Sequence, residues 1–193
     1  MKKPRSKAAT SKSQPHEALP LARATVLHID DDPNDLQLFQ AAARRGQVHF
    51  SIQNVTDGEQ AMAYLNGRGT YANRLLYPLP ALVLLDLKMP RATGFDVLRW
   101  IRNHPEVGNL PVVVFSGSEL RDDIRQAYAV GADSYLVKPI GFNALVELVK
   151  NIDTAWIAGQ PPRASLMASS EPKRTWPPST DWSAATGGPR ARP

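Results

Sequence analysis

The chain of 193 residues has no cysteine, which rules out disulfides and thiol chemistry and agrees with a cytoplasmic protein. It has no run of roughly eighteen apolar residues, so no membrane-spanning helix is expected. The basic start Met1-Lys-Lys-Pro-Arg-Ser-Lys7 lacks the apolar stretch of a secretory signal. No helix-turn-helix, zinc pattern or other DNA-reading unit is visible, which argues against a transcription factor, and no internal repeat is found. A pI of about 9.6 would ordinarily raise nucleic acid as a partner. The charge is unevenly placed, however. Residues 1–22 carry five Lys/Arg against one acid and residues 158–193 carry five against two, so the formal +5 of the whole chain leaves residues 23–157 at −2. These two segments, rich in Lys, Ser, Pro, Gly and Thr, read as a disordered basic N-terminal tail (1–22) and a disordered Pro-rich basic C-terminal tail (158–193). Neither nucleic acid nor membrane is expected as a partner.

What the middle of the chain does have is a regular alternation. Thr25–Ile29, Phe50–Val55, Ala81–Leu85, Pro111–Phe115 and Ser134–Val137 are short runs rich in β-branched and aliphatic residues, each read as a strand. Between and after them, residues 35–46, 58–67, 94–103, 120–130 and 143–157 place apolar residues at helical spacing, for example Phe95, Leu98 and Ile101. Nearly continuous apolar strands separated by helices predict one α/β domain over residues 23–157, with a parallel sheet covered on both faces. Ligands of such sheets bind beyond the carboxyl ends of the strands.

The polar residues that carry chemistry fall at those ends. Asp30-Asp31 follows the first strand, Asp86 the third, Ser116 the fourth and Lys138 the fifth. Three crowded carboxylates repel one another unless a hard cation lies between them, and Mg2+ takes one or two carboxylates while reserving positions for phosphate oxygens. Asp86 is then the nucleophile for a phosphoryl group, with the metal and Lys138 neutralising charge on the transferring oxygens. Ser116 donates to one of those oxygens once they arrive, which makes the contact a switch. Taken singly, each residue has a plainer explanation. Asp32-Pro33 is a helix start with Asp32 as N-cap, an aspartate after a strand is commonly a turn residue, and Tyr135 is an ordinary strand aromatic. A cap needs one acid, though, and here there are three. His28, inside a central strand, reads as a buried neutral imidazole rather than a ligand.

Val26-Leu-His-Ile-Asp-Asp-Asp-Pro33, Leu85-Asp-Leu-Lys-Met-Pro90 with Gly94, Val114-Phe-Ser-Gly117 and Gly131-Ala-Asp-Ser-Tyr-Leu-Val-Lys-Pro139 together resemble the CheY-like receiver domain of bacterial two-component response regulators. Thirty residues separate Asp86 from Ser116 and twenty-two separate Ser116 from Lys138, and these spacings also agree with that family. The resemblance implies a flavodoxin-like, doubly wound (βα)5 fold with sheet order 2-1-3-4-5, a Mg2+ requirement and phosphorylation of Asp86 by a histidine kinase. It implies that Asp30, Asp31, Asp86 and the backbone carbonyl of Lys88 hold the metal, that Ser116 and Tyr135 form the switch, that Lys138 serves the phosphoryl group, and that the Lys138–Pro139 bond is cis.

Residues 63–73 and Asn103-His-Pro-Glu-Val107 are similar to the single-domain, phytochrome-associated subgroup. This similarity implies a phytochrome-like kinase and no output domain, although light sensing itself does not follow. The chain is therefore expected to be a single-domain response regulator, not an enzyme beyond its own phosphorylation and dephosphorylation, that signals through residues 119–157 to a protein partner, a phosphotransfer protein or a second copy. A phosphorelay shuttle or phosphate sink uses the same chemistry, and a phosphorylation-independent pseudo-receiver module is the alternative from another class. Lys88, two residues after the acceptor, is expected to overhang the site and alter phosphoaspartate lifetime. Thr93-Gly94 stands where many relatives have Asp-Gly. Trp100 falls off its helix's apolar stripe, and Trp176 and Trp182 lie in the C-terminal tail.

Overall fold

The computed structural model describes residues 23–158; both proposed tails, with Trp176 and Trp182, fall outside the described residues apart from Ala158. Five strands, β1 (Thr25–Ile29), β2 (Ser51–Val55), β3 (Leu82–Leu85), β4 (Val112–Ser116) and β5 (Ser134–Val137), pair in parallel in the order β2-β1-β3-β4-β5. Helices α1 (Pro33–Gly46), α2 (Gly58–Asn66), α3 (Gly94–Asn103), α4 (Arg121–Val130) and α5 (Phe142–Ile152) alternate with them. The expected fold and sheet order are borne out.

Strand parity separates two cores, because successive side chains point to opposite faces. Leu27 and Ile29, Val83 and Leu85, and Val112 and Val114 pack with Ala61, Tyr64, Val97, Leu98 and Ala127 on the side of α2, α3 and α4. Val26, Leu82, Leu84, Val113 and Phe115 pack with Phe39, Val146 and Val149 on the side of α1 and α5. Trp100 is half-buried against the first of these cores, its ring 4.8 Å from that of His104.

Local chemistry sets the helix starts. Asp32 caps α1 by accepting from the Asn34 amide, with Pro33 at the first helical position, as expected. Thr93 and Asp96 form a reciprocal capping box on α3. The α2–β3 connection is packed as well: Arg74 donates to the carbonyls of Tyr64, Leu65 and Tyr77, closing the end of α2, and Tyr64 donates to the Pro78 carbonyl. Burial pushes the Tyr64 phenol up to about 12.

Several element boundaries shift from the sequence reading, most of them by one or two residues, and two of the shifts are instructive. β4 begins and ends one residue later than expected, since Pro111 has no N–H for the ladder and only its carbonyl accepts, from Val83. Ser116 is consequently the last residue of β4 rather than the first after it, its carbonyl accepting from the Lys138 amide. The final helix stops being α at Ile152 and continues as a π-helical turn, Asp153–Ile157. There the buried Asp153 carboxylate accepts from the backbone amide of His49 and lies 2.7 Å from its ring Nδ1.

Candidate functional site

Parallel strands bring their carboxyl ends to one edge, and that edge gathers residues far apart in the chain. One carboxylate oxygen from each of Asp30, Asp31 and Asp86 lies within 4.8 Å of the others. Lys138, just after β5, reaches across the edge: its Nζ is 2.7 Å from Asp30 Oδ2 and 3.2 Å from Asp86 Oδ2. Asp30 is fully buried and Asp86 nearly so.

Asp86 is held from two sides. Its Oδ1 accepts from the backbone amides of Leu87, at 2.6 Å, and Lys88, at 3.3 Å. Gly94 makes the close return of the chain possible, because a Cβ there would stand 2.1 Å from the Asp86 carbonyl oxygen. The glycine is required for this approach rather than for a left-handed backbone.

Burial alone would raise the Asp30 carboxyl, but His28 and Lys138 beside it hold it below the ordinary value. Desolvation likewise disfavours the Lys138 ammonium, yet Asp30, Asp35 and Asp86 hold its pKa well above the usual lysine range. His28 is fully buried in β1 against Phe39 and Phe115, its Nε2 3.6 Å from Asp30 Oδ2.

Ser116 Oγ is buried and finds no hydrogen-bond partner among the described residues. The Tyr135 hydroxyl donates to the Ser118 carbonyl at 2.8 Å, and burial pushes the phenol up. The Lys88 side chain is exposed.

The expected cis peptide before Pro139 is a correction: among the described residues there is no cis bond, and Lys138–Pro139 is trans. Trans is the lower-energy isomer at X–Pro by about 0.5–1 kcal/mol, and Lys138 makes all its carboxylate contacts from it.

Asp35 went unread as a site residue. It stands in the first turn of α1, and its Oδ2 is 2.7 Å from Lys138 Nζ. In the sequence it is only one more acid near a helix start, which the helix dipole explains equally well.

Three converging carboxylates with no nitrogen or sulfur donor among them suit a hard divalent cation. With Asp35 added, four carboxylates face one ammonium, a formal excess of negative charge at a partly buried edge. Ser116 Oγ, buried at the end of β4 with no hydrogen-bond partner among the described residues, adds a potential donor at that end of the sheet.

A five-stranded 2-1-3-4-5 sheet with this acidic edge defines a phosphoacceptor domain of the two-component type. The chain belongs to the response regulator receiver domain family, whose model matches residues 26–150. It is 32% identical over 132 residues to the response regulator Rcp1 of Synechocystis, covering 68% of this chain and 88% of that protein. A response regulator in red light signaling of R. palustris superposes with a TM-score of 0.68 at 36% identity, covering 72% of this chain and 96% of the other. The phosphorylated cyanobacterial phytochrome response regulator RcpA gives 0.66 at 34% identity, covering 72% and 98%. Rcp1 has also been solved in an Mn(2+)-bound form, which matches with a TM-score of 0.64 at 30% identity over 72% of this chain and 97% of that one. Receiver domains accept phosphoryl groups from histidine kinases and bind a divalent metal.

Proposed function

We propose that this chain is phosphorylated on Asp86 in a Mg2+-dependent reaction by a phytochrome-like histidine kinase, and that it signals as a single-domain regulator in the cytoplasm. The observation that carries this reading is the convergence of Asp30, Asp31, Asp86 and Lys138 at the sheet edge where β4 ends in Ser116, whose buried hydroxyl has no hydrogen-bond partner among the described residues. An Asp86 carboxylate oxygen attacks phosphorus as the phosphorus–nitrogen bond of the donor phosphohistidine breaks, the bonding pair leaving on the imidazole.

Mg2+, held by Asp30, Asp31, Asp86 and the Lys88 carbonyl, would supply charge neutralisation for the phosphoryl oxygens. The chain's own residues do the rest. The amides of Leu87 and Lys88 orient Asp86, Lys138 faces the growing negative charge, and Ser116 donates to a phosphoryl oxygen on arrival. Ser116 then moves toward that group and Tyr135 turns inward behind it. The surface of residues 119–157 changes and is read by a protein partner, a phosphotransfer protein or a second copy. No catalysis beyond its own phosphorylation and dephosphorylation is assigned to the chain, and neither nucleic acid nor membrane is a partner. Among the described residues no helix is long and apolar enough to cross a membrane.

Intact-protein mass spectrometry after incubation with a small phosphodonor tests the reading. A single phosphoryl adduct that disappears without Mg2+ or in Asp86→Asn is expected. No adduct, with the protein folded and a control receiver labelled in parallel, would overturn it.

A further inference from the structure

Lys138 and a divalent cation want the same oxygens. Its ammonium has three N–H donors and spends one on each of Asp30, Asp35 and Asp86, with the two short contacts, 2.7 Å each, going to Asp30 and Asp35. Asp30 and Asp86 also belong to the group of three carboxylates that converge within 4.8 Å, and Asp35 does not. A cation entering among Asp30, Asp31 and Asp86 therefore meets a positive charge already seated on two of its three carboxylates. Like charges at such short range in a partly buried setting repel strongly, so Lys138 has to loosen its hold on both. Asp35, on a different element and about one-third exposed, is the one carboxylate it can keep.

We propose that Asp35 is a positioning residue that retains the Lys138 ammonium at the rim of the site while a divalent cation takes Asp30 and Asp86. The inference rests on the metal-binding reading above. Without Asp35, Lys138 has only the metal's own carboxylates to pair with, and it competes with the cation for them.

The contact with Lys138 is the hydrogen bond and ion pair that the Asp35 side chain makes among the described residues. Its other plausible role, a first-turn acid complementing the α1 dipole, concerns the helix and does not couple to Lys138.

The test is calorimetric titration of the full-length unphosphorylated protein with Mg2+ alone, comparing wild type, Asp35→Asn, Lys138→Met and the double variant. Asp35→Asn is expected to weaken Mg2+ binding about fivefold, whereas in the Lys138→Met background the same change should weaken it less than about twofold, a coupling of the size that contacting residues show. Equal losses in both backgrounds would overturn the inference and leave only a through-space charge effect.

Asp32→Asn provides a comparison that needs no change at Lys138. It removes one nearby charge, keeps a good N-cap and touches no lysine. A loss for Asp35→Asn no greater than for Asp32→Asn would also sink the proposal. Wild-type protein that binds no divalent cation would instead overturn the metal-site reading, and this inference with it.

Discussion

Two long cationic side chains sit at opposite edges of the same sheet, and their surroundings differ in kind. At the amino-terminal edge, Arg102 donates to the carbonyls of Gly131, Gly108 and Leu110 and to Asp133 Oδ2, using four of its five N–H donors. Asp133 Oδ2 accepts from the Val112 amide as well. One cation meets one anion there, and the cluster closes the starts of β4 and β5. At the carboxyl edge, Lys138 binds three carboxylates and no carbonyl, with Asp31 as a further acid close by. The first cluster is balanced and complete. The second carries a surplus of negative charge and, in Ser116, a buried hydroxyl with no hydrogen-bond partner among the described residues. Satisfied polar networks hold a fold together, whereas an uneven charge balance at a partly buried edge is a candidate for function.

The contrast is broken most directly by removing each edge's key charge. Arg102→Ala leaves three carbonyls without their side-chain donor and Asp133 with the Val112 amide alone, and should lower unfolding free energy by about 2–3 kcal/mol in a denaturant titration. Asp86→Asn removes one of several mutually repelling carboxylates, and should leave stability unchanged or raise it by up to about 1 kcal/mol. If both variants lose stability equally, the division into a structural and an active edge is wrong.

At the carboxyl edge, added volume is expected to cost more stability than lost charge. A Cβ at position 94 would lie 2.1 Å from the Asp86 carbonyl oxygen and 2.7 Å from the Leu87 Cα. Gly94→Ala must therefore push α3 away from the end of β3, at about 2 kcal/mol, within the range of overpacking costs. It should also slow phosphoryl adduct formation, since the Leu87 and Lys88 amides that orient Asp86 would shift with the backbone. A variant as stable and as readily phosphorylated as wild type would show that the close approach is incidental.

Much of this was readable in advance because it follows from period and sequence position. Short β-branched and aliphatic runs alternating with helical spacing announced a parallel sheet covered on both faces, while the sorting of strand residues into two cores came with the structure. A strand-end position brought Asp30, Asp86 and Lys138 together, and Asp32-Pro33 announced the start of α1. What escaped depends on where flexible side chains finish. Asp35 lies 103 residues from Lys138 and Arg102 lies 31 from Asp133, and neither pairing leaves a local pattern. The π-helical turn after Ile152 likewise leaves no periodic signal, and it is where Asp153 meets His49, 104 residues away.

pH sharpens the comparison further. Asp30 has a folded-state pKa below its usual 3.8, so the stability it adds is present above that value and is lost as pH falls through the lower, folded one. Lys138 is raised above its usual 10.5, so its contribution is fully present below that value and is lost only as pH rises past the folded one. Between these limits the pair is intact, and neutral pH lies well inside the window. In denaturant titrations across acid pH without added metal, Lys138→Met removes a donor that holds Asp30 down, so the fall in stability toward low pH should be shallower than in wild type. An unchanged slope would mean that Lys138 does not set the Asp30 carboxyl.

The smallest effect is expected at Tyr135, where the active edge leans on an ordinary hydrogen bond. Its hydroxyl donates to the Ser118 carbonyl, two residues beyond β4, while its ring is partly buried against the core on the α2, α3 and α4 side. Tyr135→Phe keeps the ring and deletes the hydroxyl, so stability should fall by about 1 kcal/mol or less. Phosphoryl adduct formation should stay at the wild-type level, because the phenol touches none of the carboxylates or Lys138. If the adduct were lost along with the hydroxyl, Tyr135 would belong with Asp86 and Lys138 in the acceptor chemistry. If stability and adduct both stay near wild type while affinity for a partner changes, its place is downstream, where the altered edge is read.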